Sequence, residues 1–220
     1  HAVARDPAML VFLDNRLSER ANPNENWARE LLELFSLGVD RYGQADVRAL
    51  ARVFTGWTTA DKRSHEFVFD ADWHDPTDKE FLGTRLPGRS GAEGIQEGTA
   101  ALDLVLARGE TAGLIARKLL TWFGEHEPDG RVETALAEVL VNNDWSVRET
   151  LRILFTSRWF HAPERRFALY KNPVELLVSA GRLLRLQNVH RGGFLPALRA
   201  LGMQLFEPPS VAGWDHGASW

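Results

Sequence analysis

The chain has no cysteine among its 220 residues, which removes disulfides, thiolate metal ligands and a cysteine nucleophile together. It also has no apolar run near the ~18 residues that a membrane-crossing helix needs. The GxSxG elbow, the GxxxxGK phosphate loop, the HExxH pair and a GxGxxG turn before a helix are all missing, so the common hydrolase, nucleotide and zinc-protease signatures do not apply. A sustained excess of one charge is absent as well. The formal net charge is −4, with 13 Lys/Arg against 19 Asp/Glu in residues 1–110 and 13 against 11 in residues 111–220. Without a basic stripe, nucleic acid is not an expected partner. The acidic first half suits a cation or a basic partner better.

What is present is the composition of a folded domain, 44% apolar and 25% charged. The spacing of apolar residues predicts mostly helices. A first helix is expected over 6–17, opened by Asp6 and Pro7. In "NPNENWARELLELFSLG" Asn22 is expected as the cap, Pro23 as the first helical residue, Glu25 as the capping-box acid and Gly38 as the stop, with Ala28, Leu31, Leu32 and Phe35 on the buried face. A third helix fits "QADVRALARVFTGW", and further helices fit about 93–108, 110–124, 130–142, 146–157, a segment opened by Asn172, Pro173 and Glu175, and 194–202.

The helical period lapses between 58 and 90. There "HEFVFDADW" alternates like a strand, and "FLGTRLPGRSG" reads as turn and loop. The expected fold is all-α: one helical domain over 1–220, packed as a multi-helix orthogonal bundle. A small β-hairpin is expected around 64–75 within a 58–90 insertion, followed by an extended C-terminal arm over 206–220. The chain opens on His1 with the amphipathic pattern running by Pro7, and it reads as a piece of a longer protein.

Two segments concentrate residues able to do chemistry. "DADWHDPTDKE", residues 70–80, holds Asp70, Asp72, His74, Asp75, Asp78 and Glu80. An EF-hand is excluded, because Asp75 and Phe81 stand where that loop needs glycine and glutamate. A looser divalent metal site stays open, either Asp72, Asp75 and Asp78 around a hard cation or His74 with Asp72 and Asp75 around a transition metal. So does a metal-free general base, His74 held by Asp75, and so does an acidic solvated turn in which Asp75 caps the chain before Pro76. The second segment is the helix in which Asn26, Arg29, Glu30 and Glu33 are spaced three and four apart and share a face. That face is either solvated surface or the wall of a cleft where Glu30 and Glu33 would meet His74. Of eight tryptophans, Trp57, Trp73 and Trp214 fall in or beside expected loops and could line a ligand.

The stretches "NPNENWARELLELFSLGVDRYGQADVRALARVFTGW", "WHDPTDKEFLG", "ARKLLTWF", "LRILFTSRWF", "KNPVELLVSAGRLL" and "FEPPSVAGWDHGASW" together resemble the bacterial family of unknown function DUF1800, over nearly the whole chain. The resemblance implies an exported or periplasmic protein often encoded beside an exported family resembling sulfatases and alkaline phosphatases. It assigns no reaction. Its pattern falls on Asn26, Arg29, Glu30, Glu33, Trp57, His74, Asp75, Lys79 and Trp214, among others. Two functions follow as expectations: a helical binding or assembly module of an exported system, whose partner would be that sulfatase- or phosphatase-like neighbour, or a hydrolase of polysaccharide or ester bonds. The hydrolase would use Glu30, Glu33, His74 and Asp75, with Asn26, Arg29, Trp57, Lys79 and Trp214 as ligand contacts.

Overall fold

Five helix starts in this chain are set by short polar side chains, Asp6, Asn24, Asp129, Ser146 and Asn172, that accept otherwise orphaned backbone N–H groups. The computed structural model describes residues 1–61, 66–125, 127–186 and 191–214. Contacts divide the chain into two compact units, His1–Ile115 and Ala116–Trp220. Among the described residues the protein is mostly helical, with nine α-helices and two small two-stranded sheets.

In the first unit Asp6 accepts the N–H of Ala8 at 2.8 Å and opens α1 (Pro7–Phe12), after which a 3-10 turn covers Asn15–Leu17. α2 spans Glu25–Glu33 and is capped by Asn24, which accepts the N–H of Trp27 at 3.1 Å. This corrects the expected cap at Asn22, which instead forms an isolated antiparallel bridge with Glu19. Tertiary hydrogen bonds decide between the two asparagines. Asn24 donates its amide to the Leu13 carbonyl at 2.9 Å and its N–H to Ser18 Oγ at 3.0 Å. Downstream of α2 the N–H groups of Leu37 and Gly38 both reach the Leu32 carbonyl, with Gly38 at φ +88°. Trp27, Ala28 and Leu32 are buried as the core face, while Phe35, expected there, is exposed because the helix has already ended.

α3 (Gln44–Val53) lies against α2 and buries Val47, Leu50, Ala51 and Val53. Phe54 follows it, and three edge-to-face contacts carry the core forward: Trp27 to Phe54 at 5.8 Å, Phe54 to Trp57 at 4.8 Å and Trp57 to Phe67 at 5.2 Å. Such pairs add to the area they bury.

The insertion contains two hairpins. β1 (Trp57–Thr59) pairs antiparallel with β2 (Phe67–Phe69), with Trp57 opposite Phe69. The strand pattern thus begins before residue 64 and has ended by Asp70; residues 64 and 65 lie outside the described residues. β3 (Lys79–Phe81) pairs with β4 (Thr84–Leu86), where turn and loop were expected. The two-residue link Leu82–Gly83 has φ +50° and +73°, the double positive φ of a tight hairpin turn. Leucine rarely occupies that place, which hides the turn from the sequence. Here Asp46 of α3 fixes it by accepting the Leu82 N–H at 2.8 Å. Gly56, at φ +79°, could carry no side chain, since a Cβ would lie 2.3 Å from the Asp70 carbonyl oxygen. α4 (Ile95–Leu106) closes this unit, entered through a 3-10 turn at Gly91–Gly94.

α5 (Gly109–Phe123) contributes its last residues to the second unit. α6 (Gly130–Asn142) is capped by Asp129, and α7 (Val147–Thr156) by Ser146. Ala116, Leu120, Leu136 and Leu154 form their core, flanked by Phe155, Trp159 and Phe160. α8 (Pro173–Leu183) shows the expected capping box: Asn172 Oδ1 accepts the Glu175 N–H at 2.9 Å, and Glu175 Oε2 accepts the Asn172 N–H at 3.1 Å. α9 (Arg191–Ala200) starts earlier than expected and holds Pro196 within it. Residues 206–214 run through turns and bends without helix, and the rest of the expected arm lies outside the described residues.

Candidate functional site

His74 is the centre of a buried polar group with Glu97 and Lys79. Asp70 brings it there: after β2 its Oδ1 accepts the N–H groups of Asp72 at 2.9 Å and Trp73 at 3.3 Å, which turns the chain inward. The ring meets Phe69 edge-on at 5.3 Å. The entry to α4 packs against both rings and is glycine by necessity, since a Cβ on Gly94 would sit 2.6 Å from the imidazole and 2.8 Å from Phe69.

His74 is 1% exposed. Its Nδ1 lies 3.0 Å from the Thr55 carbonyl oxygen, and its Nε2 lies 3.2 Å from Glu97 Oε1. The Thr55 hydroxyl donates to the Arg52 carbonyl at 2.6 Å and accepts the Asp75 N–H at 2.8 Å. The Thr55 hydroxyl also lies 3.3 Å from Nδ1, so both ring nitrogens are occupied by protein oxygens. Glu97, on the buried face of α4, also accepts Lys79 Nζ of β3 at 2.5 Å and the Arg89 N–H. Lys79 donates in addition to the Asp75 carbonyl. Burial by itself pushes the Glu97 carboxyl up, but the hydrogen bonds from His74, Lys79 and Arg89, with the charge of Lys79, outweigh it and hold the group below the usual carboxylate range.

Asp75 faces a second cation. Its Oδ2 accepts Arg52 Nε at 2.7 Å, and its Oδ1 accepts the Thr77 N–H at 2.9 Å and the Thr77 hydroxyl at 2.6 Å. Burial opposes ionisation here too. The bonds from Arg52 and Thr77 prevail and lower the carboxyl to about 2. Asp78, at the surface, accepts Arg85 Nε at 3.0 Å and the Gly88 N–H at 2.8 Å.

The expected metal trio does not come together. Asp72 is exposed, both nitrogens of His74 point at Thr55 and Glu97, and the Asp75 carboxylate is taken by Arg52 and Thr77. Among the described residues no group of three His, Asp or Glu side chains converges as a metal site. Glu30 and Glu33 belong to another neighbourhood, with hydrogen bonds that do not join them to His74. The Tyr42 hydroxyl donates to Glu33 Oε2 at 3.0 Å, and Arg29 donates to Gln44, which donates to Glu25. Burial first and then Glu33 push the Tyr42 hydroxyl up to about 12. Burial and the nearby Glu33 raise the Glu30 carboxyl against the pull of Arg29. Asn26 is exposed.

Trp57, expected beside a loop, is fully buried between Phe54 and Phe67, and Lys79 is buried against Glu97, so neither presents a surface to a ligand. Trp73 and Trp214 are half-buried. Sequence reasoning missed Arg52 and Glu97. The signal for Glu97 was its place four residues before the buried Ala101, where the apolar stripe of α4 should continue. As a chemical device the His74, Glu97 and Lys79 group is closed to solvent: it pins the second hairpin and the 70–80 loop to α3 and α4.

No curated protein and no solved structure matches the chain. A family model described as "Protein of unknown function (DUF1800)" matches residues 1–220, in agreement with the stretches centred on His74 and α2, and the chain belongs to that family.

Proposed function

We propose that this chain is a helical binding or assembly module of an exported bacterial system, its helices packed as an orthogonal bundle, and that it holds the sulfatase- or phosphatase-like exported neighbour implied by its family. The observation that carries this reading is an open groove of about 450 Å³ in the second unit, lined by Val132, Ala135, Leu136, Val139, Ile153 and Trp159, with Asp129 and Arg131 also at its wall. An apolar groove between helices takes the apolar face of a partner segment, and an aromatic in its wall serves as an anchor. The closed His74 group adds support, because its polar side chains are spent on internal hydrogen bonds.

Co-purification of the full-length proteins tests the proposal. Association at micromolar concentration is expected. Ala135→Glu, a change at an exposed groove position, should weaken it about tenfold or more by placing an unpaired charge in the contact. No association at that concentration, or full association by the variant, would sink the proposal.

A further inference from the structure

Residues 165–214 carry seven Lys/Arg and only two Asp/Glu, Glu175 and Glu207, in a protein whose net charge is −4. The same stretch is where apolar side chains leave the core. Of the 24 large apolar side chains exposed among the described residues, 13 lie between Phe167 and Val211. Scattered exposed apolar residues are ordinary, but such a concentration marks a surface that is covered in use.

Two features say what covers it. Phe167 is 103% exposed and Phe206 94%, each at the tip of a turn with φ +62° and +66°, a left-handed backbone that bulky residues rarely adopt. Rings held clear of their own unit in this way suit insertion into a soft apolar medium. The second feature is interleaving. Arg166 and Lys171 flank Phe167 and Tyr170 just before α8, and Arg182 and Arg185 alternate with Leu183, Leu184 and Leu186 at its end, all of them exposed. An apolar protein pocket would have to desolvate those cations, whereas at a bilayer surface the leucines enter the acyl region and the guanidinium groups reach back to lipid phosphates.

We infer that the α8 margin of the second unit docks peripherally on an anionic lipid surface. The match is between the exposed cations Arg166, Lys171, Arg182 and Arg185 and a negatively charged headgroup layer, with Phe167 and Phe206 as the inserted anchors; Arg165 is taken by Glu125 and Trp159. Attachment is peripheral, since among the described residues no helix is long and apolar enough to cross a membrane. The groove between α6 and α7 is not used, so this inference stands apart from the proposed assembly role.

Sedimentation of the full chain with vesicles tests it. The expected result is binding to phosphatidylcholine vesicles containing about one third phosphatidylglycerol, little binding to pure phosphatidylcholine, and release at about 0.5 M salt, where screening shortens to a few ångströms. Phe167→Ser with Phe206→Ser, and separately Arg182→Glu with Arg185→Glu, should each weaken anionic binding about tenfold or more. Both pairs lie on the surface, and circular dichroism would check that the fold is retained. Failure to bind anionic vesicles, equal binding to neutral ones, or wild-type binding by both variant pairs would overturn the inference. A wild-type response to the groove partner by the Phe167/Phe206 variant keeps the two proposals separable.

Discussion

At the scale of single residues, Glu97 decides the stability of the first unit's polar interior. It is 1% exposed and accepts from His74, Lys79 and Arg89, so its removal leaves a buried ammonium and a buried imidazole without their anion. Breaking one partner of such a group costs about 3–5 kcal/mol, far more than a surface ion pair contributes. Glu97→Gln is therefore expected to lower the urea-unfolding free energy by about 3 kcal/mol or more, while Glu80→Gln, on an exposed side chain of β3, leaves it within about 0.5 kcal/mol. Equal effects from the two would show that the interior cluster carries no special burden. The sequence made "DADWHDPTDKE" conspicuous but could not sort its members. His74 and Lys79 turn inward and Asp72, Asp78 and Glu80 outward, and the anion that selects the inward pair lies at residue 97 on another element. Local spacing contains no information about that partner.

At the scale of elements, cap chemistry was the most legible feature and the hairpins the least. Asn172, Pro173 and Glu175 open α8 as the spacing predicts because every group in that box is local. Asn22 and Asn24 offered two local solutions for α2, and contacts from Leu13 and Ser18 chose the second. Asn24→Ala should thus cost about 1–2 kcal/mol, since it removes the cap and the side-chain bond to the Leu13 carbonyl while the backbone bond to Ser18 Oγ persists, whereas Asn22→Ala should cost only a few tenths. Thermal unfolding of the two variants checks this; the reverse order would return the cap to Asn22. The second hairpin was hidden for a related reason. Its turn places Leu82 at positive φ and is held by Asp46, 36 positions earlier in the chain, so neither turn composition nor strand alternation announced it.

At the scale of the whole molecule, the acid-sensitive interactions are unevenly shared between the two compact units. The first unit holds Asp75, lowered from 3.8 to about 2, and Glu97, also held low. In the second unit Asp129 is held low by Arg131 at the surface, and Glu125 pairs with Arg165 outside helices α6 and α7. A carboxyl whose folded value lies below its unfolded one contributes stability above the unfolded value, and loses it as pH falls through the folded one. For Asp75 that window runs from about 4 down to about 2, and its side chain is only 13% exposed, so the loss comes to about 2 kcal/mol. Protonation of Glu97 adds to the loss by freeing Lys79 and His74. Hydrogen-exchange protection within His1–Ile115 should accordingly fall as pH drops from 4 towards 2, while helices α6 and α7 keep theirs. Arg52→Leu should reduce the Asp75 part of this acid response, because without the guanidinium the carboxyl loses the largest of the bonds that keep it ionised and retains those from Thr77. Loss of protection first in α6 and α7, or an unchanged acid profile in Arg52→Leu, would contradict the assignment of acid sensitivity to the interior of the first unit.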